Sequence, residues 1–218
     1  MMVNNKGRLF ILSGPSGSGK DTIMRELLSR RKDICLSISS ITRPPRQGEI
    51  PGEKYDFISK EKFETMLLNG EFLEYNTYLG NYYGTPKKPI ERWISCGRNV
   101  LLEIDVNGAR KVREAMSGVL SVFIMPPSMQ VLKERLTGRS TESAEAVSSR
   151  LQAAIDEIGC ANEYDYIIVN DNITEAVNNL EAIINADRFS YKSMENFVKE
   201  VLESAKSCDW KAVGGIRQ

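Results

Sequence analysis

The sequence predicts an α/β fold built on an open parallel sheet, and three observations carry that expectation. Short apolar runs of strand length recur along the chain. Stretches with apolar residues three and four positions apart separate them, and a glycine-rich turn joins the first run to the first helical stretch. The runs are RLFILS at 8–13, CLSISS at 35–40, NVLLEID at 99–105, LSVFIM at 120–125 and DYIIVN at 165–170. Each is continuously apolar rather than alternating, as suits parallel strands covered on both faces. Helical patterns fall at 20–31, 108–116, 128–137, 142–158 and 173–188, the last with Val177, Leu180, Ile183 and Ile184 in one stripe. Strand and helix in alternation imply right-handed crossovers.

Two regions interrupt the alternation. Residues 39–88 are rich in Gly, Pro, Tyr and charge and read as a small, partly β insertion. Residues 137–150, TGRSTESAEAVSSR, are polar with an arginine near each end. Composition alone leaves both open to a second reading as solvated surface. At 218 residues the chain has room for one main core with such insertions. Lys plus Arg equals Asp plus Glu at 29 each, so nothing global points to nucleic acid or an anionic membrane. No apolar run approaches the ~18–20 residues that cross a bilayer. The first apolar stretch runs directly into the glycine turn without a cleavage-site pattern, so the expected address is cytoplasmic. The four cysteines are scattered and read as reduced. The chain has no histidine, which excludes imidazole bases, histidine triads and histidine zinc sites.

Gly14-Pro15-Ser16-Gly17-Ser18-Gly19-Lys20 follows a strand pattern and opens a helix pattern, the context of a phosphate-binding loop. Glycines let successive N–H groups converge on phosphate oxygens, and the helix adds the positive end of its dipole. Lys20 is expected to reach the terminal phosphates. Asp21 stands where a hydroxyl is usual, and Thr22 follows one place late. Either Asp21 holds magnesium through its water shell while Thr22 turns to a phosphate, or Asp21 faces away as a first-turn carboxylate favoured by the dipole. In the insertion, Arg43 and Arg46 stand three apart in a proline-stiffened segment, with Tyr55 and Tyr83 further on. Paired guanidiniums suit a phosphate monoester, so a second phosphate site is expected there.

SSITRPPRQGE, GEFLEYNTYLGNYYGT, LLEIDVNGAR, PPSMQVLKERLTGRSTES and YIIVND, in this order, resemble the motifs of guanylate kinases over about residues 7–188. The resemblance implies a P-loop nucleoside monophosphate kinase fold. Its core would comprise 7–38, 89–136 and 158–190, with a mixed GMP-binding insertion at 39–88, a helical lid at 137–157 and a C-terminal helical extension at 191–218. It implies reversible magnesium-dependent transfer from ATP to GMP and to dGMP, with ATP and GMP as partners and a monomer or homodimer as the assembly. By the same implication Ser39, Arg43, Arg46, Glu49, Tyr55, Glu74, Tyr83, Thr85, Glu103 and Asp105 surround GMP. Glu74 or Asp105 would accept the two adjacent donors of guanine. Lys20, Arg43, Arg139 and Arg150 share the transition-state charge, and Arg135 and Asn170 lie near adenine. Asp105 has an alternative role in ordering magnesium-bound water, beside Asp21 and Thr22. Ser140 replaces a common lid glycine, and Asn107 a frequent glutamine.

A guanylate-kinase-like interaction module is the competing class. Such modules typically lose the glycine-lysine loop or the lid arginines, and both are present here. Finally, Met194, Phe197, Val198, Val201, Leu202 and Ala205 share one helical face, expected to pack on the chain's own core or else to meet a partner.

Overall fold

The computed structural model describes residues 6–138 and 144–207. Arg139 and Ser140 of the expected lid lie outside the described residues. Five parallel strands form the main sheet in the order β2-β7-β1-β8-β9: β1 Leu9–Ser13, β2 Ile34–Leu36, β7 Asn99–Glu103, β8 Leu120–Met125 and β9 Tyr166–Val169. The apolar runs are continuous because alternate residues enter different cores. Phe10 and Leu12 of β1 join Ile23, Leu27, Leu180 and Ile184 on one face, while Leu9 and Ile11 join Ile90, Val106, Ala109 and Phe123 on the other. Helices α1 (Lys20–Arg30) and α7 (Ile173–Asp187) cover the first face. Helices α3 (Lys87–Ser95) and α4 (Val106–Ala115) cover the second.

Side chains start several helices where their orphan N–H groups need acceptors. Asp105 accepts from the Gly108 amide at 2.7 Å to open α4, Ser128 opens α5 (Met129–Thr137), and Asn172 opens α7.

The second sheet has the order β4-β3-β6-β5, from β3 Ser39–Ile41, β4 Tyr55–Phe57, β5 Phe72–Tyr78 and β6 Asn81–Pro86. β5 and β6 form a hairpin whose tip places Leu79 at φ 48° and Gly80 at φ 75°. Helix α2 (Lys60–Leu68) buries Phe63 against Phe72 and Tyr82, with ring centroids 4.3 and 5.0 Å apart. The expected single strand at 35–40 is therefore two strands in two sheets. Ser37 still donates its amide to the Leu101 carbonyl at 2.8 Å, and the chain then crosses over. β9 also departs from expectation. It is an edge strand among the described residues, and Ile167 and Val169 are about half exposed.

Helix α6 (Ala144–Gly159) follows α5, and α8 (Tyr191–Ser207) ends the described chain. The expectation that the apolar face of α8 packs on the core is only half met. Met194, Phe197 and Val198 are partly covered, whereas Val201, Leu202 and Ala205 are exposed. Arg8 anchors the start of this helix, donating to Ser193 Oγ at 2.9 Å while pairing with Asp187 at 3.1 Å. Among the described residues no helix is long and apolar enough to cross a membrane.

Candidate active site

A cleft of about 440 Å³ opens between the C-terminal ends of the main strands and the second sheet. One wall is the turn from β1 into α1. Gly14 has φ 145°, and a Cβ there would stand 2.3 Å from the Ile124 carbonyl oxygen. Gly19 has φ 95°, and its Cβ would meet Asn170 Nδ2 at 2.2 Å. Both positions admit glycine alone. Asn170 is buried just beyond β9 and donates to the Ser18 carbonyl at 2.7 Å, clamping the loop from beneath. Its own carbonyl accepts from Arg135 at 2.9 Å. These two residues thus form one support under the loop, and the Asn170 side chain does not enter the cleft.

Lys20 curls over the loop, donating to the carbonyls of Gly14 at 2.5 Å and Pro15 at 3.0 Å. Burial pushes its ammonium below the ordinary lysine value, and Glu103, Glu157 and Asp21 partly oppose that shift. From above, α6 brings Arg150 onto Ser16 Oγ at 2.6 Å and Glu157 into the cleft. Burial raises the Glu157 carboxyl, while Lys20 pulls it back. Glu157 is absent from the sequence expectations, although its spacing of seven from Arg150, two helical turns, places both on one face.

The facing wall comes from the second sheet. Glu74 on β5 is buried and accepts from Thr85 Oγ1 on β6 at 2.6 Å. Burial raises its carboxyl above the ordinary range, partly offset by that hydrogen bond. Ser39, Tyr55 and Tyr83 line the same wall. Arg43 is held end-on by Glu49 through two bonds of 2.6 and 2.7 Å, and its guanidinium lies 5.4 Å from the Tyr55 ring centroid. The Arg43 bonds hold the Glu49 carboxyl down at about 2. Glu49 also accepts from the Arg46 amide at 2.7 Å. Arg46 is exposed at the tip of this segment, and neither it nor Arg43 or Glu49 lines the cleft, so Glu49 holds Arg43 beside the wall that Ser39, Tyr55 and Tyr83 form.

The floor is acidic. Asp105 caps α4 with one oxygen and accepts from Asn76 with the other at 3.3 Å. Lys54, a residue that the sequence reading passed over, sits between Asp21 Oδ1 at 2.5 Å and Glu103 Oε2 at 2.6 Å. Its partners lie 33 and 49 positions away, so no local pattern marks it. Thr22 lines the cleft beside Asp21.

The chain as a whole has matches among known proteins. The family model described as guanylate kinase matches residues 6–187. The chain belongs to the guanylate kinase family. The guanylate kinase of Clostridium perfringens (strain SM101) is 45% identical over 185 residues, covering 85% of this chain and 86% of that protein. That of Carboxydothermus hydrogenoformans is 46% identical over 188 residues, covering 86% and 92%. The crystal structure of guanylate kinase from Anaplasma phagocytophilum superposes with a TM-score of 0.71 at 36% identity, covering 87% of this chain and 90% of that one. The family match stops at the end of α7, so α8 lies outside it.

Proposed function

We infer that the chain transfers the γ-phosphoryl group of ATP to GMP, giving ADP and GDP. One observation carries the reading. The phosphate loop and the buried Glu74–Thr85 pair face each other across a single cleft. The loop and α1 take the ATP phosphates, and Arg135 and Asn170 support the adenine end. Guanine offers N1–H and an exocyclic amine side by side, which the Glu74 carboxylate accepts as a pair, while Ser39 and Thr85 serve O6. Adenine presents an acceptor at N1, leaving Glu74 unpaired at a cost of ~1–3 kcal/mol. Arg43, Tyr55 and Tyr83 close on the GMP phosphate, with Arg46 reaching it from the segment tip and Glu49 orienting Arg43.

Phosphoryl transfer spreads charge over equatorial oxygens, so the work falls to positioning and cations. Lys20 and Arg150 already converge on the loop, and Arg43 serves the acceptor. The family resemblance implies a lid at 137–157 that excludes water on closing, in which Arg139, outside the described residues, would join Arg150.

The donor set suits magnesium. Asp21, Thr22, Glu103 and Asp105 present oxygens to the cleft, with Lys54 Nζ already bridging Asp21 and Glu103. Oxygen donors suit a hard cation that retains most of its water. Asp21, Thr22 and Asp105 would hold it through water, and when bound it neutralises phosphate charge.

The test is ADP release from ATP and magnesium with GMP, AMP, UMP and CMP in parallel. Turnover with GMP alone is expected. Preference for another monophosphate overturns the assignment of Glu74.

A further inference from the structure

We propose that Lys54 is a positioning residue that ties the acceptor sheet to the phosphate loop and so sets the distance across which the phosphoryl group travels. This rests on the reading of the two walls as donor and acceptor sites.

Lys54 directly precedes β4, the edge strand of the second sheet, yet both of its carboxylate partners belong to the main fold. Asp21 is the second residue of α1, next to Lys20. Glu103 ends β7. The ammonium therefore joins the start of β4 to α1 and to the end of β7. Isolated surface ion pairs contribute little, but this one is not of that kind. Glu103 has a side-chain exposure of 14% and Lys54 of 33%, against 64% for Asp21, so the Glu103 arm is the sheltered one, and one cation serves two anions.

The far edge of the second sheet is tied separately. Asn76 on β5 donates to Asp105, and Lys111 on α4 donates to the Tyr75 carbonyl at 2.6 Å. The acceptor sheet is thus fastened along both edges, and Lys54 is the fastening on the loop side. The residues proposed to bind GMP are held to one another within the sheet through β-ladders and the Glu74–Thr85 and Arg43–Glu49 pairs. Releasing Lys54 would leave that pocket assembled but its distance from the loop unfixed. Misplacement of about 1 Å costs on the order of 10²-fold in rate.

The experiment compares wild type, Lys54→Met and Lys54→Arg in two measurements. In steady-state kinetics, Lys54→Met is expected to lower kcat by about 10- to 100-fold while leaving the Kd of GMP within about twofold, and Lys54→Arg restores most of kcat. Pulsed electron paramagnetic resonance between labels at Lys62 on α2 and Lys133 on α5, with Cys96, Cys160 and Cys208 replaced by Ser, reads the separation of the sheets without turnover. Lys54→Met is expected to broaden that distance distribution, and Lys54→Arg to narrow it again. An unchanged distribution in Lys54→Met overturns the proposal, as does a loss of GMP affinity equal to the loss of kcat. Failure of the wild type to phosphorylate GMP would instead refute the functional reading, because the distance measurement stands independently of it.

Discussion

The two sheets are stabilised in opposite ways. The five-stranded sheet lies between two apolar clusters, and its central strand β1 is buried along its whole length. The four-stranded sheet has one aromatic stack, Phe63 between Phe72 and Tyr82, with Ile41 buried beside it, and carries the Arg43–Glu49 and Lys54–Glu103 ion pairs at its margins. A thin apolar layer opens at lower free energy than a thick one. The donor loop therefore rests on the rigid part, clamped by Asn170, and the acceptor residues ride on the part better able to move.

Substitution can break this contrast. The largest effect is expected at Lys20: Lys20→Met should lower kcat by about 10³-fold, with unchanged thermal unfolding, since its bonds serve the loop alone. Phe63→Ala should destabilise the second sheet by about 3 kcal/mol or more. Hydrogen exchange should then speed up across residues 39–86 while β1 and β8 stay protected, and ATP binding should survive loss of GMP binding. Glu74→Gln should cut kcat/KM for GMP by about 10²-fold and narrow the margin over AMP. In the wild type, the raised Glu74 carboxyl loses the charge that guanine needs at a pH above the ordinary carboxylate range. The affinity for GMP should accordingly fall on mild acidification, an effect absent in Glu74→Gln.

A smaller effect sharpens the same comparison. The Glu49 carboxyl lies at about 2 when folded against an ordinary 4.5. Its stabilisation of the arginine segment is complete above 4.5 and is lost as the pH falls towards 2. Denaturant melts of wild type and Glu49→Gln should therefore converge over that interval. The smallest change is at the hairpin tip, where Leu79 sits at φ 48° and is largely exposed. Leu79→Asn should stabilise by about 0.5–1 kcal/mol.

The contrast also explains what could be read from the sequence. The donor loop is contiguous, so Gly14 to Lys20 announce it, and five continuous apolar runs announce the main sheet. The run at 35–40 misleads because apolar character does not record which sheet a residue joins. β9 misleads because it does not record whether a strand lies at an edge. Helices α2 and α3 escaped notice within a stretch dominated by Gly, Pro and charge, although Phe63, Met66 and Leu67 in one and Ile90, Trp93 and Ile94 in the other have helical spacing. Lys54 and Glu157 were invisible for another reason. Their importance lies in partners brought near only by folding, Asp21 and Glu103 for one and Lys20 for the other.

The crossing at Ser37 has a practical side. The chain leaves the main sheet after β2 and returns where β6 ends at Pro86 and α3 begins, so Ser39, Glu74 and Thr85, the residues proposed to face guanine, are spliced in as a single cassette. Exchange of residues 39–86 for the corresponding span of a relative, with Lys54 kept, should transplant acceptor preference while leaving the ATP machinery untouched.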